Sequence, residues 1–167
     1  TTDVHELSSI ARHVVGPGGL LIVDYLQKVP VEGGASLGRA PEIASALKEI
    51  AMGDHVAVLA IAAVGMDGLG QRRIRPEHLA SNAPLVHESD CAIVMNEKAP
   101  ANSRVHTAFD GRQIDEARSY TLFTIEKHRD GPANIDLEFA KEFESFRFHP
   151  EGGFVAEHLI DNMTYND

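Results

Sequence analysis

The sequence predicts an α/β protein in which helices cover both faces of a parallel sheet and a β-hairpin ends the fold. Two uninterrupted aliphatic runs, residues 20–23 and 56–64, are typical of strands that are buried on both faces of a parallel sheet. A helix-period segment precedes each run, and this alternation favours right-handed crossover connections. Near the C-terminus, Asp130 and Gly131 separate two apolar stretches, which indicates a hairpin.

The first half of the chain contains two predicted helices, each followed by a strand. Thr2 and Asp3 provide an N-cap for the first helix, whose apolar positions recur at helical spacing up to Val15. The glycine-rich run at 16–19 ends this helix. Pro41 opens the second helix at a first-turn position, where the missing N–H of proline is tolerated.

The second half is predicted to hold a third strand and the hairpin. A glycine-punctuated loop, the third apolar strand, a polar excursion and the two hairpin strands are expected at residues 65–75, 91–98, 97–118, 119–128 and 133–143. Residues 149–167 are polar and are predicted to pack weakly. We therefore expect one domain over residues 1–148 and a C-terminal tail over 149–167.

Composition narrows the classes of protein and partner. The 167 residues are 43% hydrophobic, which is enough for one core. The net charge of −10, from 25 acidic and 15 basic residues, means that any nucleic-acid contact must come from a local patch. No apolar run approaches the ~20 residues of a membrane span, so we expect a cytoplasmic protein with no membrane partner. The single cysteine, Cys91, excludes a disulfide framework, and we expect it to be buried and inert.

The aliphatic strand at 20–23 ends in Asp24, which is the form of a Walker B element. At such a position a carboxylate at the C-terminal edge of a strand holds nucleotide-bound Mg²⁺, usually through water. A strand that ends in aspartate and merely caps a turn is, on this evidence alone, favoured by roughly three to one. The four residues from Asp24 to Gln27, Asp-Tyr-Leu-Gln, shift that balance because they resemble the Walker B motif of DnaB-type replicative helicases.

The resemblance to the C-terminal, RecA-like ATPase domain of that family extends over residues 1 to about 148. Its further motifs are the helix and strand at 42–64, the segment at 75–98 and the hairpin sequence at 123–139. It implies the later part of a RecA-like P-loop NTPase core, incomplete without its N-terminal part. It also implies ATP and Mg²⁺ as cofactors, a homo-oligomeric ring, possibly a hexamer, and single-stranded DNA as a partner.

The resemblance also implies roles for individual residues. Asp24 would hold Mg²⁺ and Gln27 would contact the nucleotide. Lys127 and Arg129 match the basic pair on the family's hairpin, which reaches the γ-phosphate of ATP bound to the neighbouring subunit. Such cations stabilise the negative charge that spreads over the transferred phosphoryl group. Without the motif at Asp24, both would be interpreted as solvated charges beside a turn.

Three departures from the family pattern bear on these expectations. No stretch reads GxxxxGK[ST], so the phosphate loop must come from an upstream segment or a partner chain. The family's Ser-Gln sensor after the next strand is replaced near Ala62 and Ala63. The usual arginine of the DNA-facing loop is absent from residues 79–83.

Five residues remain as candidates for contact with single-stranded DNA: Arg72, Arg73, Arg75, Ser81 and Asn82. The three arginines could contact phosphates, although an ordinary solvated loop explains them equally well. The loops at 28–40 and 65–81 would face the channel of the ring.

Two other functions stay open alongside a DnaB-type helicase. The first is a RecA-fold ATPase that does not act on DNA, and the second is a degenerate, non-catalytic scaffold subunit. A parallel sheet without its phosphate-loop strand would expose unpaired backbone and an apolar face. We therefore expect the isolated chain to be marginally stable or prone to aggregation, and a cooperatively melting monomer would contradict this.

Overall fold

The computed structural model describes residues 3–30, 40–79, 83–101, 111–156 and 159–161. Contacts divide the chain into two compact units. The first unit comprises Thr1–Met66 and Glu77–Ser89, and the second comprises Asp67–Pro76 and Asp90–Asp167. No helix in the described ranges is long and apolar enough to cross a membrane.

The first unit holds a pair of parallel strands with helices packed against it. Its elements are α1 (Val4–Ile10), β1 (Leu20–Val23), α2 (Ala40–Gly53), β2 (Ala57–Ala60), α3 (Met66–Leu69), which ends just beyond the unit, and α4 (Ala83–Glu88). Asp3 caps α1 by accepting a hydrogen bond from the Glu6 amide at 2.8 Å, as its sequence position predicts. Strand β1 pairs with β2 from Leu20 opposite Ala57 to Val23 opposite Ala60.

The core of this unit lies on one face of the two strands. Ile43 on α2 is fully buried, and Leu21 and Val23 of β1 are 6% exposed. The alternate residues Leu20 and Ile22 are 53% and 57% exposed. The prediction that β1 is buried on both faces is therefore wrong, because helices cover only one side of the pair.

The second unit is an antiparallel sheet with two helices. Its elements are β3 (Cys91–Glu97), α5 (Lys98–Ala101), α6 (Gly111–Arg118), β4 (Tyr120–His128), β5 (Ile135–Glu142), β6 (Arg147–Phe148) and β7 (Gly153–Phe154). Strands β3, β4, β5 and β6 are neighbours in that order, and β7 pairs with β5. The ring of Phe123 on β4 makes edge contacts with Phe139 and Phe148 at centroid distances of 5.0 and 5.2 Å.

The hairpin prediction is confirmed, whereas the single parallel sheet is not. Strands β4 and β5 pair antiparallel and are joined by residues 129–134. Among the described residues the only parallel pair is β1 with β2, and β3 pairs antiparallel with β4. Because β3 lies at the edge of its sheet, its outer side chains are open to solvent. Ile93 is 55% exposed, and Cys91 is exposed rather than buried as expected.

The described part of the predicted tail packs on the second unit. Strand β7 extends the sheet beside β5, and the Val155 amide donates to the Asp136 carbonyl at 3.1 Å. Further on, the Ile160 amide donates to the Ala101 carbonyl at 2.7 Å. The domain boundary at residue 148 stays a prediction, but the residues after it contribute to the sheet.

Candidate functional site

Asp24 lies at the carboxyl edge of the parallel strand pair. It follows β1 directly and is exposed. The Ile61 amide donates to the Val23 carbonyl at 2.9 Å, and the Leu26 amide donates to the Ile61 carbonyl at 2.8 Å, which holds the two strand ends together beyond the last pair. Ligands of open α/β sheets bind at this edge. An exposed carboxylate here fits a water-mediated contact to nucleotide-bound Mg²⁺.

Gln27 is bound to the end of β2. Its Nε2 donates to the Ala63 carbonyl at 2.9 Å, and its Oε1 accepts from the Ala63 amide at 3.1 Å. The resemblance places the family's sensor amide near Ala63, so Gln27 brings a side-chain amide to that place from the other strand. Both ends of the amide are engaged with backbone, and Gln27 therefore positions the edge that carries Asp24.

Substituting Gln27 with alanine is expected to lower the free energy of unfolding by about 1–2 kcal/mol, because two hydrogen bonds to one residue are lost. Gln27→Glu keeps the acceptor and loses the donor, so its effect should be intermediate. The measurement is the shift of the urea midpoint at constant slope. An unchanged midpoint for both variants would mean that solvent replaces these bonds without cost.

The basic residues of the hairpin lie near its turn. Lys127 stands opposite Ala92 in the register of β3 and β4. Arg129 follows β4, its amide donates to the Asp90 carbonyl at 2.8 Å, and its Nη1 lies 2.8 Å from Asp90 Oδ1. The Arg129 and Asp90 side chains are 51% and 57% exposed. A guanidinium held this way is oriented by one carboxylate and still accessible to another molecule.

The turn that presents Arg129 has a defined conformation. Asn134 adopts a positive φ of 58°, and its amide donates to the Ile125 carbonyl at 2.7 Å. A Cβ at Gly131 would clash with the imidazole ring of His128 at Nδ1. Only glycine fits at this close approach, so the Asp-Gly pair acts through steric room beside His128.

The arginines of the preceding loop differ in their surroundings. Arg73 is 3% exposed, and its Nη2 donates to Thr124 Oγ1 at 2.9 Å and to Asp136. The Thr124 hydroxyl also donates to Asp136 Oδ1 at 2.7 Å. Because Arg73 is enclosed and paired within the second unit, we leave it out of any surface that grips DNA directly.

Arg75 is bound by two carboxylates. Its Nη1 donates to Glu126 Oε1 at 2.9 Å, while Nε and Nη2 donate to the two oxygens of Asp161 at 3.1 and 3.0 Å. Burial by itself lowers the pKa of Arg75, but the bonds to Asp161 and Glu126 raise it above its ordinary value. Between these arginines, the Ile74 amide donates to the side chain of buried Asn96 at 2.6 Å.

Sequence reasoning missed the acidic partners of these cations: Asp90, Glu126, Asp136 and Asp161. Glu126 and Asp136 stand within predicted apolar strands, where a partly buried carboxylate needs a cation, and this could have flagged them. Nothing in the sequence near Asp161 indicates a partner 86 positions away. Arg72 is partly exposed, and Ser81 and Asn82 lie outside the described residues.

The described residues contain no group of three or more His, Cys, Asp or Glu side chains that could hold a metal ion by themselves. Asp24 would therefore act with the phosphates and waters of a bound nucleotide, which is how Mg²⁺ is commonly held in such sites.

The structure is similar to solved structures of helicase ATPase domains. The ATPase domain of one DnaB-like helicase matches with a TM-score of 0.69 and 21% identity, over 88% of this chain and 51% of that one. A DnaB-like replicative helicase, studied for its interactions with primase, matches with a TM-score of 0.61 and 20% identity, over 83% and 33%. No family model and no curated protein matches the chain.

These likenesses show that the chain has the α/β fold found in the ATPase domains of DnaB-like helicases. The chain spans about half of the first matched structure and a third of the second. The resemblance drawn from the sequence and the likeness drawn from the structure point to the same proteins.

Proposed function

We propose that this chain is part of an ATP-dependent DNA helicase of the DnaB type, in which ATP hydrolysis at subunit interfaces is coupled to movement on single-stranded DNA. The observation that carries the proposal is the exposed carboxylate of Asp24 at the carboxyl edge of β1, in a chain with the fold of helicase ATPase domains. This edge is the place where such folds bind nucleotide.

The residues divide between two subunits of a ring, possibly a hexamer. Asp24 binds Mg²⁺ through water on the subunit that holds ATP, and Gln27 keeps the strand edge in place. Lys127 and Arg129 act on the nucleotide of the neighbouring subunit, where their charges stabilise the transferred phosphoryl group. The half-exposed Arg129 supports this role, since a trans-acting group must reach outside its own subunit.

The phosphate cradle is supplied by residues outside this chain's 167. A Walker A loop binds the β- and γ-phosphates through backbone amides and a lysine, and none of the glycine-rich stretches here has the required Gly-Lys-Ser/Thr ending. The chain thus contributes the Mg²⁺ carboxylate and the trans-acting cations, and it acts with an upstream phosphate-loop half or a partner chain. Alone it is inactive.

A RecA-fold ATPase that does not act on DNA is the second candidate. The observation in its favour is that Arg73 is buried and Arg75 is engaged with two carboxylates, in a chain with a net charge of −10. Stimulation of ATP hydrolysis by single-stranded DNA separates the two candidates.

The test is ATP hydrolysis by the complete protein with and without single-stranded DNA. Asp24→Asn is expected to lower kcat on the order of 10²-fold or more, because Mg²⁺ loses its protein carboxylate. Glu49→Gln, which neutralises an exposed carboxylate on α2, is the matched control and should retain full activity. No hydrolysis in the unmodified complete protein would leave a non-catalytic scaffold as the function.

A further inference from the structure

Two arginines and three carboxylates form one cluster in the second unit: Arg73, Arg75, Glu126, Asp136 and Asp161. The side chains of Glu126 and Asp136 are 8% and 27% exposed and come from β4 and β5. These two carboxylates alone balance the two guanidinium charges. Asp161 is therefore the surplus anion of the cluster, and at 44% exposure it is also the most accessible of the three.

The contact between Asp161 and Arg75 has the geometry of an oxyanion bound to an arginine fork. Oδ1 accepts from Nε at 3.1 Å and Oδ2 accepts from Nη2 at 3.0 Å, so the two bonds are nearly equal. Nη1 of Arg73 lies 3.5 Å from the same Oδ1 and adds a second positive charge. A phosphate group presents two oxygens to arginine in the same bidentate way.

The arginine fork stays in place when Asp161 leaves. Nη1 of Arg75 is held by Glu126 at 2.9 Å, and this carboxylate belongs to the central strand β4. The neighbouring Ile74 is tied through both its amide and its carbonyl to Asn96 of β3, at 2.6 and 3.0 Å. Because the partners on the far side are buried strand residues, the edge formed by Nε and Nη2 is pre-organised for an anion.

The segment that carries Asp161 is attached more weakly. Within residues 159–161, one backbone bond joins Ile160 to Ala101 at 2.7 Å, and the side-chain bonds are those of Asp161. Few backbone bonds and a half-exposed ion pair are the features of a region that opens at low cost in free energy. The tail can therefore separate while the β3–β5 sheet stays folded.

We propose that Asp161 occupies a binding site for a phosphodiester group of single-stranded DNA and thereby inhibits DNA binding. When residues 159–161 detach, a DNA phosphate takes the place of the carboxylate on Arg75, with Arg73 behind it. The exchange replaces one anion by another and leaves the buried pairs intact. This inference deepens the proposed function and rests on it, since the proposed function supplies DNA as the partner.

The test is binding of a fluorescent oligothymidine to the complete protein at several salt concentrations. Asp161→Asn is expected to tighten binding about three- to tenfold and to steepen the salt dependence by about 0.7 in log–log slope, the value for one more phosphate contact. Asp161→Glu keeps the charge and should bind like the unmodified protein. Glu151→Gln removes one exposed charge from the same C-terminal segment, away from the arginines, and is the matched control. Arg75→Gln added to Asp161→Asn should abolish the gain.

The outcomes separate this inference from the proposed function. If all variants bind oligothymidine with the same affinity and slope, the inhibitory role of Asp161 is overturned and the helicase proposal stands. If neither the unmodified protein nor Asp161→Asn binds oligothymidine while ATP hydrolysis persists, the DNA partner is lost and the ATPase alone remains. If inorganic phosphate perturbs the Nε resonance of Arg75 in Asp161→Asn and oligothymidine does not, the site takes phosphate but not nucleic acid, which overturns the inference.

Discussion

Arg129→Ala is expected to lower kcat for ATP hydrolysis in the complete, assembled protein by about 10³-fold or more, while KM for ATP changes little. The negative charge on the phosphoryl oxygens is greatest in the transition state, so a cation aimed at it contributes mainly to kcat. Arg129 is suited to this role because Asp90 orients its guanidinium and half of the side chain stays open to solvent.

Mixing two inactive variants tests whether Arg129 acts in trans. Rings made from equal amounts of Asp24→Asn and Arg129→Ala subunits should regain activity at about one quarter of their interfaces, where an intact Asp24 meets an intact Arg129 from the neighbour. If both residues served the same subunit, mixing would restore nothing. Zero recovery in rings of normal size would therefore place the site within one subunit.

The matched control for this experiment is Arg147→Ala. Arg147 is also an exposed arginine in a salt bridge, with Glu142, and its side chain is 64% exposed. Its removal should leave kcat unchanged. A comparable loss of activity in Arg147→Ala would mean that the effect of Arg129→Ala comes from lost charge or altered assembly rather than from the active site.

Arg73→Met is expected to lower the free energy of unfolding of the second unit by about 3–5 kcal/mol, the cost of breaking a buried ion pair from one side. The substitution leaves Asp136, 27% exposed, without the guanidinium that it contacts, and removes the donor to Thr124. Hydrogen exchange of amides in β4 and β5 would show the loss as faster opening of that unit.

A second variant distinguishes a broken pair from lost packing. Arg73→Met combined with Asp136→Leu removes both charges and should recover most of the stability, since a buried ion pair exchanged for apolar side chains is often nearly neutral. The control Arg72→Met changes a partly exposed neighbour in the same loop and should cost less than about 0.5 kcal/mol. Equal losses in Arg72→Met and Arg73→Met would contradict the enclosed pairing of Arg73.

Local sequence determined the elements whose signals lie within a few residues. The strand β1 is predicted at residues 20–23 and lies there, and the hairpin is predicted from Asp130 and Gly131 between apolar stretches. Asp24 is identified because it directly follows an aliphatic strand. Such features depend on alternation, capping and turn chemistry, which act between neighbours in the chain.

Pairing between distant segments was decided by the tertiary structure. The aliphatic run of β3 allows either parallel or antiparallel pairing, and β4 resolves the choice by pairing with it from Cys91 to Glu97. The exposure of Leu20 and Ile22 likewise depends on which faces the helices cover, and the sequence of β1 does not contain that information.

The arginines show this division most clearly. The sequence by itself places Arg72, Arg73 and Arg75 in one loop and makes them equal candidates for DNA contact. Only the fold sets Arg73 among Thr124 and Asp136 and brings Asp161 to Arg75 across 86 positions. The energy of a charged side chain depends on burial and on partners within a few ångströms, and chain folding rather than chain order determines both.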